Sequence, residues 1–224
     1  MSNTPPLQNM LFAAVDLETT GLDPKQDQII EIGIQIFDSE NMMDQFSMLI
    51  DPHLEVGIPA HITDLTGITS ADLEGQPNIE SVMSDVTKLL EGKIIVGHNV
   101  GFDLNFLSAA GFELINRAFD TWELAYVFDF DSPDYSLETL LSRHNIYRAQ
   151  AHRALDDAKA TAELFLRLND FINHLSDSTI DILKSVSIKA NLPFFDLFDS
   201  SVQLHALSPP KEPSKDKDPL RKID

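Results

Sequence analysis

Runs of apolar residues in the first half of the chain predict the strands of a sheet. Residues 11–18 (LFAAVDLE) are apolar on both faces, which is typical of a central strand covered by helices. Residues 28–38 (QIIEIGIQIFD) alternate as a second strand, and residues 44–50 as a third. Short apolar segments at 93–96 and 118–121 predict two more strands.

Segments with helical periodicity lie between and after these strands. The predicted helices span residues 78–91, 102–110, 122–128, 136–144, about 152 to about 174, and 177–190. Gly111 ends the second of them, as glycine commonly does at a helix C-terminus. Strands that come first, followed by helices alternating with strands, predict an α/β sheet.

The chain changes character after residue 175. The predicted organisation is a flexible N-terminus (1–10), a globular domain (11–175), a helical extension (176–207) and a disordered tail or linker (208–224). The extension contains an apolar anchor, LPFFDLF, at 192–198. The tail is rich in Pro, Lys and Asp, a composition that cannot bury a core.

Composition bounds the class of protein. The 224 residues suffice for one well-buried domain and an appendage, and a hydrophobic content of 43% is ordinary for a globular protein. The chain has no cysteine, which excludes disulfides, thiolate metal sites and cysteine nucleophiles. We find neither a secretory signal nor a bilayer-spanning apolar run, so we expect a cytoplasmic protein without a membrane partner.

The formal net charge of −20 argues against a broad nucleic-acid surface, because proteins that grip the duplex backbone usually display a basic patch. The acidic excess is spread along the chain, and we expect most of it on the solvated surface. A small site that admits only a strand end is compatible with this charge, since bound divalent cations offset negative charge locally. The charge therefore leaves strand cleavage open.

Two acidic residues lie together at the end of the predicted central strand. Asp16 and Glu18 are two positions apart, so they point to the same face, at the carboxyl end where open α/β sheets bind ligands. Two ionised carboxylates at this separation repel each other, and a bridging cation would convert the repulsion into a binding site. A strand end that runs into an exposed turn is the plainer interpretation of this pair alone.

Two further acidic residues lie on apolar helix faces. At about 100° per residue, Asp157 shares the apolar face with Leu164, whereas the adjacent Asp156 shares a charged face with Glu163. Asp103 also lies on an apolar face, although an acid in a first helical turn can merely complement the helix dipole. Carboxylates on apolar faces are costly unless a partner neutralises them, and a shared divalent cation is the simplest candidate.

His152 lies five residues before Asp157, about 140° away around an ideal helix, so the two converge only if His152 precedes the regular helix. We therefore expect His152 at the helix start or in the loop before it, within reach of bound water. A histidine near a helix terminus is more often structural or exposed. The remaining histidines are interpreted as structural, and His98 stands out among them because it precedes the Asp103 helix.

With these residues identified, the chain resembles the DEDDh branch of the DnaQ-like 3′→5′ exonucleases over about residues 11–175. Three motifs carry the resemblance, in the family's order. They are DLET with Asp16 and Glu18, HNVGFDLNFL with Asp103, and HRALDDA with His152 and Asp157. The resemblance implies an RNase H-like mixed β-sheet flanked by helices, and His152 assigns the branch because a sister branch carries Tyr there.

The resemblance further implies a two-metal mechanism that releases nucleoside 5′-monophosphates from the 3′ end of single-stranded DNA. The implied ligands of two Mg²⁺ or Mn²⁺ ions are Asp16, Glu18, Asp103 and Asp157, with Asp16 bridging both ions. His152 would be the general base that takes a proton from the nucleophilic water. The implied substrate contacts are Thr19, Thr20, Leu22, Asn99 and Phe102, although Leu22 and Phe102 also fit a core and Thr20 a turn.

One segment departs from the pattern of many bacterial proofreading subunits, which carry HGIT where this chain has TGIT within ITDLTGIT. This variant is closer to exonuclease domains of PolC-type polymerases and DinG-type helicases, which implies a polymerase or helicase partner through the C-terminal tail and a role in proofreading or repair. No P-loop occurs in the chain. Two alternatives stay open: a 3′→5′ exoribonuclease of the same family, and a non-catalytic module that binds nucleic acid or a partner.

Overall fold

The structure, a computed structural model, describes residues 10–190 of the chain. Residues 1–9 of the predicted flexible N-terminus, the LPFFDLF anchor and the predicted tail lie outside the described residues. Within residues 10–190, the chain forms a five-stranded mixed sheet flanked by helices, which confirms the predicted α/β architecture. No helix in this range is long and apolar enough to cross a bilayer.

The strands are β1 (Phe12–Thr19), β2 (Ile29–Phe37), β3 (Met42–Leu49), β4 (Ile94–Gly97) and β5 (Ala118–Asp120). The helices are α1 (Ala60–Thr66), α2 (Ser70–Leu73), α3 (Ile79–Leu90), α4 (Gly101–Ala109), α5 (Thr121–Phe128), α6 (Leu137–Arg143), α7 (Ala154–Asn173) and α8 (Asp177–Ala190). Every predicted strand and helix is present. The apolar pattern does not predict α1 and α2, because seven and four residues are too few to display a helical period.

The sheet has the strand order β3-β2-β1-β4-β5. Strand β1 is antiparallel to β2 and parallel to β4, and β4 is parallel to β5. The pairing of β1 with β4 runs only from Phe12 to Ala14, so the second half of β1 is open on the β4 side. An opening at the carboxyl end of a central strand is where α/β sheets place their ligand sites.

Helix α7 packs across β1 and β2, and its Phe165 ring lies at the centre of this contact. The Phe165 ring is 5.1 Å from that of Phe12 and 5.8 Å from that of Phe119, measured between centroids. All three side chains are buried, and burying each ring stabilises the fold by about 2–3 kcal/mol. The other face of the sheet is covered by α3 and α4.

The N-terminus of α7 is fixed onto β2 by a close backbone approach. A Cβ atom at Gly33 would lie well under 3.0 Å from backbone atoms of Ala154 and Leu155, so glycine is required there. Two positions earlier on the same strand face, the buried carboxylate of Glu31 accepts the backbone N–H of Ala154 at 3.1 Å. Arg153 Nη2 donates to the same carboxylate at 2.8 Å. Strand β2 therefore sets the position of the first turn of α7.

Candidate active site

Asp16 and Glu18 lie at the end of β1, in register with β2. Asp16 lies opposite Gly33, and Glu18 lies opposite Glu31. Glu18 is buried, whereas Asp16 is partly exposed at the opening beside β1. The register shifts after Glu18, and this irregularity ends the strand just past the two carboxylates.

Asp103, in the first turn of α4, takes the place that a neighbouring strand would occupy. Its Oδ1 accepts the backbone N–H of Leu17 at 3.0 Å, beyond the point where β4 stops pairing with β1. This bond satisfies a buried strand donor and holds Asp103 beside Leu17, the residue that separates Asp16 from Glu18. Asp103 is buried, as its position on the apolar face of α4 predicts.

Asp157 reaches back over the start of α7. Its Oδ2 accepts the backbone N–H of His152 at 3.1 Å, and its Oδ1 accepts a bond from Arg148 Nη1 at 3.0 Å. His152 precedes the helix and has φ of 57°, a left-handed conformation that is uncommon outside glycine. The spacing argument is confirmed in this respect, because His152 lies outside the regular helix and Asp157 is buried inside it.

The site residues from three motifs converge. One ligand atom from each of Glu18, His152 and Asp157 lies within 4.8 Å of the other two. Asp16 and Asp103 lie close enough that their negative charges act on each other. Clustered carboxylate oxygens are the donors that suit Mg²⁺ or Mn²⁺, so the four acidic residues fit the metal ions that the motifs imply.

Burial and mutual repulsion make these carboxyl groups hard to ionise. Burial raises the pKa of Asp16, and the charges of Asp103, Asp157 and Glu18 raise that pKa further. Burial also raises the pKa of Glu18 to about 8, with the charges of Asp157 and Glu31 adding to the effect. The pKa values of Asp103 and Asp157 are raised by burial too, although N–H groups that donate to these carboxylates oppose the shift. A bound cation would relieve this repulsion.

The threonines and Leu22 predicted to contact substrate follow directly after the carboxylates. Thr19 and Thr20 are buried, and their hydroxyl groups serve the turn. Thr19 Oγ1 donates to the carbonyl of Gly21 at 2.6 Å, and Thr20 Oγ1 accepts the N–H of Gln28 at 3.0 Å. Leu22 is 85% exposed, which rules out the core interpretation and leaves the side chain available to a ligand.

Asn99 and Phe102, the other predicted contacts, lie at the start of α4. Asn99 is exposed and has φ of 62°, and its backbone N–H donates to Asp120 Oδ1 at 2.9 Å. Phe102 is half-buried against Phe106, with ring centroids 4.8 Å apart. The structure therefore places both residues one turn or less from Asp103, with part of each side chain accessible.

Sequence reasoning missed the residues that hold the acidic cluster in place. Glu31 interrupts an apolar strand, and that anomaly could have marked it as a buried acid with a partner. Arg148 gives no local signal, because its contact with Asp157 depends on how the loop before α7 folds back. Arg148 also pairs with Glu138, so its guanidinium bridges α6 and the site.

Two clefts of about 310 and 390 Å³ lie elsewhere on the described chain. Both are lined by residues 51–53, and neither includes any of the four carboxylates or His152. The candidate site is therefore marked by its donor set and its charges.

Comparison with known proteins identifies the family of this chain. The RNase_T family model, described as exonuclease, matches residues 13–165, a range that includes all four carboxylates and His152. The chain belongs to this exonuclease family, in its DnaQ-type 3′–5′ branch. Members of the family depend on bound metal ions.

Relatives among characterised proteins include polymerase and exonuclease chains. The DNA polymerase III subunit epsilon of Treponema pallidum is 32% identical over 188 residues, covering 77% of this chain and 86% of that protein. The 3′-5′ exonuclease DinG of Bacillus subtilis is 35% identical over 79% of this chain, and the PolC-type DNA polymerase III of Caldanaerobacter subterraneus is 32% identical over 78%. The chain spans only 19% of that DinG protein and 13% of that PolC protein.

Solved structures confirm the RNase H-like fold. The nuclease domain of 3′hExo, a DEDDh family member bound to rAMP, superposes with a TM-score of 0.63 at 18% identity, covering 74% of this chain and 94% of that chain. Exonuclease X in complex with 5′ overhanging duplex DNA superposes with a TM-score of 0.59 at 25% identity, covering 71% of this chain and 91% of that chain. The predicted resemblance to DEDDh exonucleases is thereby confirmed.

Proposed function

We propose that this chain is a metal-dependent 3′→5′ exonuclease that hydrolyses single-stranded DNA from its 3′ end and releases nucleoside 5′-monophosphates. The observation that carries the proposal is the convergence of Glu18, His152 and Asp157 within 4.8 Å, beside Asp16 and Asp103. Within one RNase H-like fold, this arrangement combines ligands for cations with a group that can accept a proton.

The proposed ligands of two Mg²⁺ or Mn²⁺ ions are Asp16, Glu18, Asp103 and Asp157. When bound, the ions supply positive charge that stabilises the attacking and leaving oxygens of an in-line displacement. The raised pKa values of all four carboxyl groups support this assignment, because each ionised group needs a nearby positive charge. Oxygen donors favour Mg²⁺ and Mn²⁺ over softer metals.

His152 is the proposed general base. Its backbone N–H is held by Asp157, and its left-handed backbone turns the ring toward Glu18 and Asp157. A nitrogen of the imidazole ring takes a proton from the attacking water, a role that suits a group able to exchange protons near neutral pH. The water oxygen bonds to phosphorus, the bond from phosphorus to the 3′ oxygen of the penultimate nucleotide breaks, and that oxygen is protonated.

The preference for DNA rests on the relatives, whose names include DNA polymerase III subunit epsilon and DNA polymerase III PolC-type. Exposed Leu22 is the proposed wedge between the last two bases, with Thr19, Thr20, Asn99 and Phe102 lining the path. A polymerase or helicase is the proposed partner through the C-terminal tail, in proofreading or repair, in the cytoplasm. The PolC and DinG relatives are much longer than this chain, which supports a partner or a neighbouring domain.

The test is digestion of a 5′-labelled single-stranded DNA oligonucleotide with Mg²⁺ or Mn²⁺, beside an RNA of the same sequence. The parent should give a ladder that shortens from the 3′ end and is abolished by EDTA. Asp157→Asn should abolish the ladder, whereas Asp156→Asn, the adjacent acid on the other helix face, should keep it. Faster digestion of RNA would favour the exoribonuclease, and no digestion of either strand by folded protein would favour the binding module.

A further inference from the structure

Three aromatic side chains, two of them exposed, form a cluster that the proposed chemistry does not use. Trp122 and Tyr126 lie one turn apart on α5 and stack with centroids 5.5 Å apart and planes 5° from parallel. Tyr135, from the loop before α6, meets both rings edge-on at 5.8 and 5.3 Å. We call these three residues the aromatic cluster.

Two rings of the aromatic cluster lie on the surface, whereas Tyr135 is half-buried and packs against the core. Trp122 is 42% exposed and Tyr126 is 57% exposed, while the opposite face of α5 buries Leu124 and Ala125. Two neighbouring large rings exposed on one helix face are unusual, because such surface is normally placed inside the fold or covered by a ligand. The two rings cover one face of each other, and about half of each residue is still accessible to a further planar group.

Asp120 joins the aromatic cluster directly to the candidate active site. Its Oδ1 accepts the N–H of Trp122 and the N–H of Asn99, both at 2.9 Å, and its Oδ2 accepts the N–H of Val100 at 3.0 Å. The start of α5 is thereby fixed to the loop that leads into α4 and Asp103. The negative charge of Asp120 also contributes to raising the pKa of Asp103, after the larger effect of burial.

His98 fixes the third ring. Its Nε2 donates to the carbonyl oxygen of Tyr135 at 2.9 Å, and its Nδ1 lies within hydrogen-bond distance of Thr121 Oγ1, at 2.9 Å. Burial lowers the pKa of His98. The loop that carries Tyr135 is therefore tied to the end of β4, next to the same α4 loop, and the cluster is rigid relative to the site.

We propose that the aromatic cluster is a base-stacking subsite for the single-stranded DNA upstream of the 3′-terminal nucleotide. This inference rests on the proposed exonuclease function and adds where the rest of the strand lies. Stacking on aromatic rings binds every base, because each base has a flat π face, and it requires no positive charge. A chain of net charge −20 has few cations for the phosphates, so stacking supplies affinity that electrostatics cannot.

The chain carries its own reporter for this contact, since Trp122 is its single tryptophan. Titration of Asp157→Asn protein with a 12-mer of deoxythymidine in Mg²⁺ should quench the tryptophan fluorescence in a saturable manner. The mononucleotide dTMP, which reaches only the terminal position, should quench far less. Because this readout needs no hydrolysis, it stays informative even if the protein proves not to be an exonuclease. Absence of quenching by an oligonucleotide that binds by anisotropy would overturn the inference.

Kinetics give the second readout. Trp122→Leu and Tyr126→Leu should each lower kcat/KM on the 12-mer about tenfold, mainly through KM, and lower it less on a dinucleotide. Trp122→Phe, which keeps an aromatic ring, should regain most of the kcat/KM that Trp122→Leu loses. A purely structural defect would not predict this recovery. The matched control is Phe171→Leu, because Phe171 is an exposed aromatic residue of α7 outside the cluster. This substitution should leave kcat/KM unchanged on both the 12-mer and the dinucleotide. An equal loss of kcat/KM on the 12-mer and on the dinucleotide would show a structural role. In the fluorescence titration, stronger quenching by oligouridine than by oligothymidine would overturn the assignment to DNA.

Discussion

Arg148 and Asp157 form an ion pair inside the candidate site, with Arg148 Nη1 3.0 Å from Asp157 Oδ1. Both side chains are largely buried, at 10% and 7% exposure, so solvent screens this pair weakly. The guanidinium partly offsets the effect of burial on the pKa of Asp157. Arg148 thus acts as a positioning residue that favours the ionised form of a buried acid.

Replacing Arg148 should shift the pH dependence of activity. Without the guanidinium, the pKa of Asp157 rises further, so the acidic limb of the profile of kcat/KM against pH should move upward by about one unit for Arg148→Met. Arg148→Lys should restore part of the shift. The control is Arg167→Met, which removes an exposed pair with Glu163 on the same helix as Asp157. An unchanged acidic limb in Arg148→Met would show that the pair has no influence on the reaction.

The metal-free protein should lose stability as the pH rises from 6 to 8. Glu18 has a folded-state pKa of about 8 against 4.5 ordinarily, so the folded state holds its proton more tightly than the unfolded state does. That stabilisation is complete below the unfolded pKa and is lost as the pH rises through 8. Melting in EDTA should show Tm falling by roughly 5 °C across this range. Glu18→Gln should flatten the fall, and an equally steep fall in that variant would exclude Glu18 as its source.

Divalent cations should stabilise the fold through the same carboxylates. At 100 times its dissociation constant, Mg²⁺ or Mn²⁺ should add about 2.7 kcal/mol to the free energy of unfolding, or roughly 5–10 °C in Tm. Asp16→Asn should remove most of this response, because Asp16 is the proposed bridging ligand. Asp156→Asn serves as the control with one acid fewer. If Asp16→Asn responded to metal as the parent does, the ions would bind elsewhere.

Substitution of His152 separates proton transfer from metal binding. His152→Gln should lower kcat about 10²- to 10⁴-fold while keeping the metal-dependent rise in Tm, since the carboxylates remain. Single-turnover digestion with Mn²⁺ and parallel melting curves measure both effects. Loss of the Tm response together with activity would instead identify His152 as a metal ligand, which its distance of at most 4.8 Å from Glu18 and Asp157 also permits.

Arg153 should matter for stability through Glu31. Arg153→Met leaves the buried Glu31 carboxylate without its cation, next to Glu18, and should lower the free energy of unfolding by about 3 kcal/mol. The double variant Arg153→Met with Glu31→Gln should recover part of the loss, because the buried charge is gone. Urea denaturation in EDTA measures both. If the double variant lost as much free energy of unfolding as the two single variants together, the two side chains would act independently.

Local patterns predicted the parts of the site that lie on regular elements. Periodicity on α7 separated Asp157 from Asp156, and the spacing of His152 placed it outside the helix, as the structure confirms. Strand alternation likewise put Asp16 and Glu18 on one face of β1. These inferences succeed because a helix or strand fixes the direction of a side chain through its own geometry.

Contacts between elements were beyond such patterns. The bond from Leu17 to Asp103 forms because β4 stops pairing with β1 after Ala14. The sequence of neither segment indicates where that pairing ends. Asp120 was interpreted only as the end of a strand, yet its carboxylate accepts three backbone N–H groups from two segments. Helices α1 and α2 were missed because a short helix depends on packing against Ile30 more than on its own sequence.

The close approach of Gly33 to Ala154 makes nuclease activity a test of correct folding. A slip of β2 by one residue would present the side chain of Ile32 or Ile34 to the backbone at the start of α7, where no side chain fits. Helix α7 could then not dock, and neither His152 nor Asp157 would reach the end of β1. A misregistered chain would therefore be unable to cut, so a misfolded copy in the cell would not act as an unregulated nuclease.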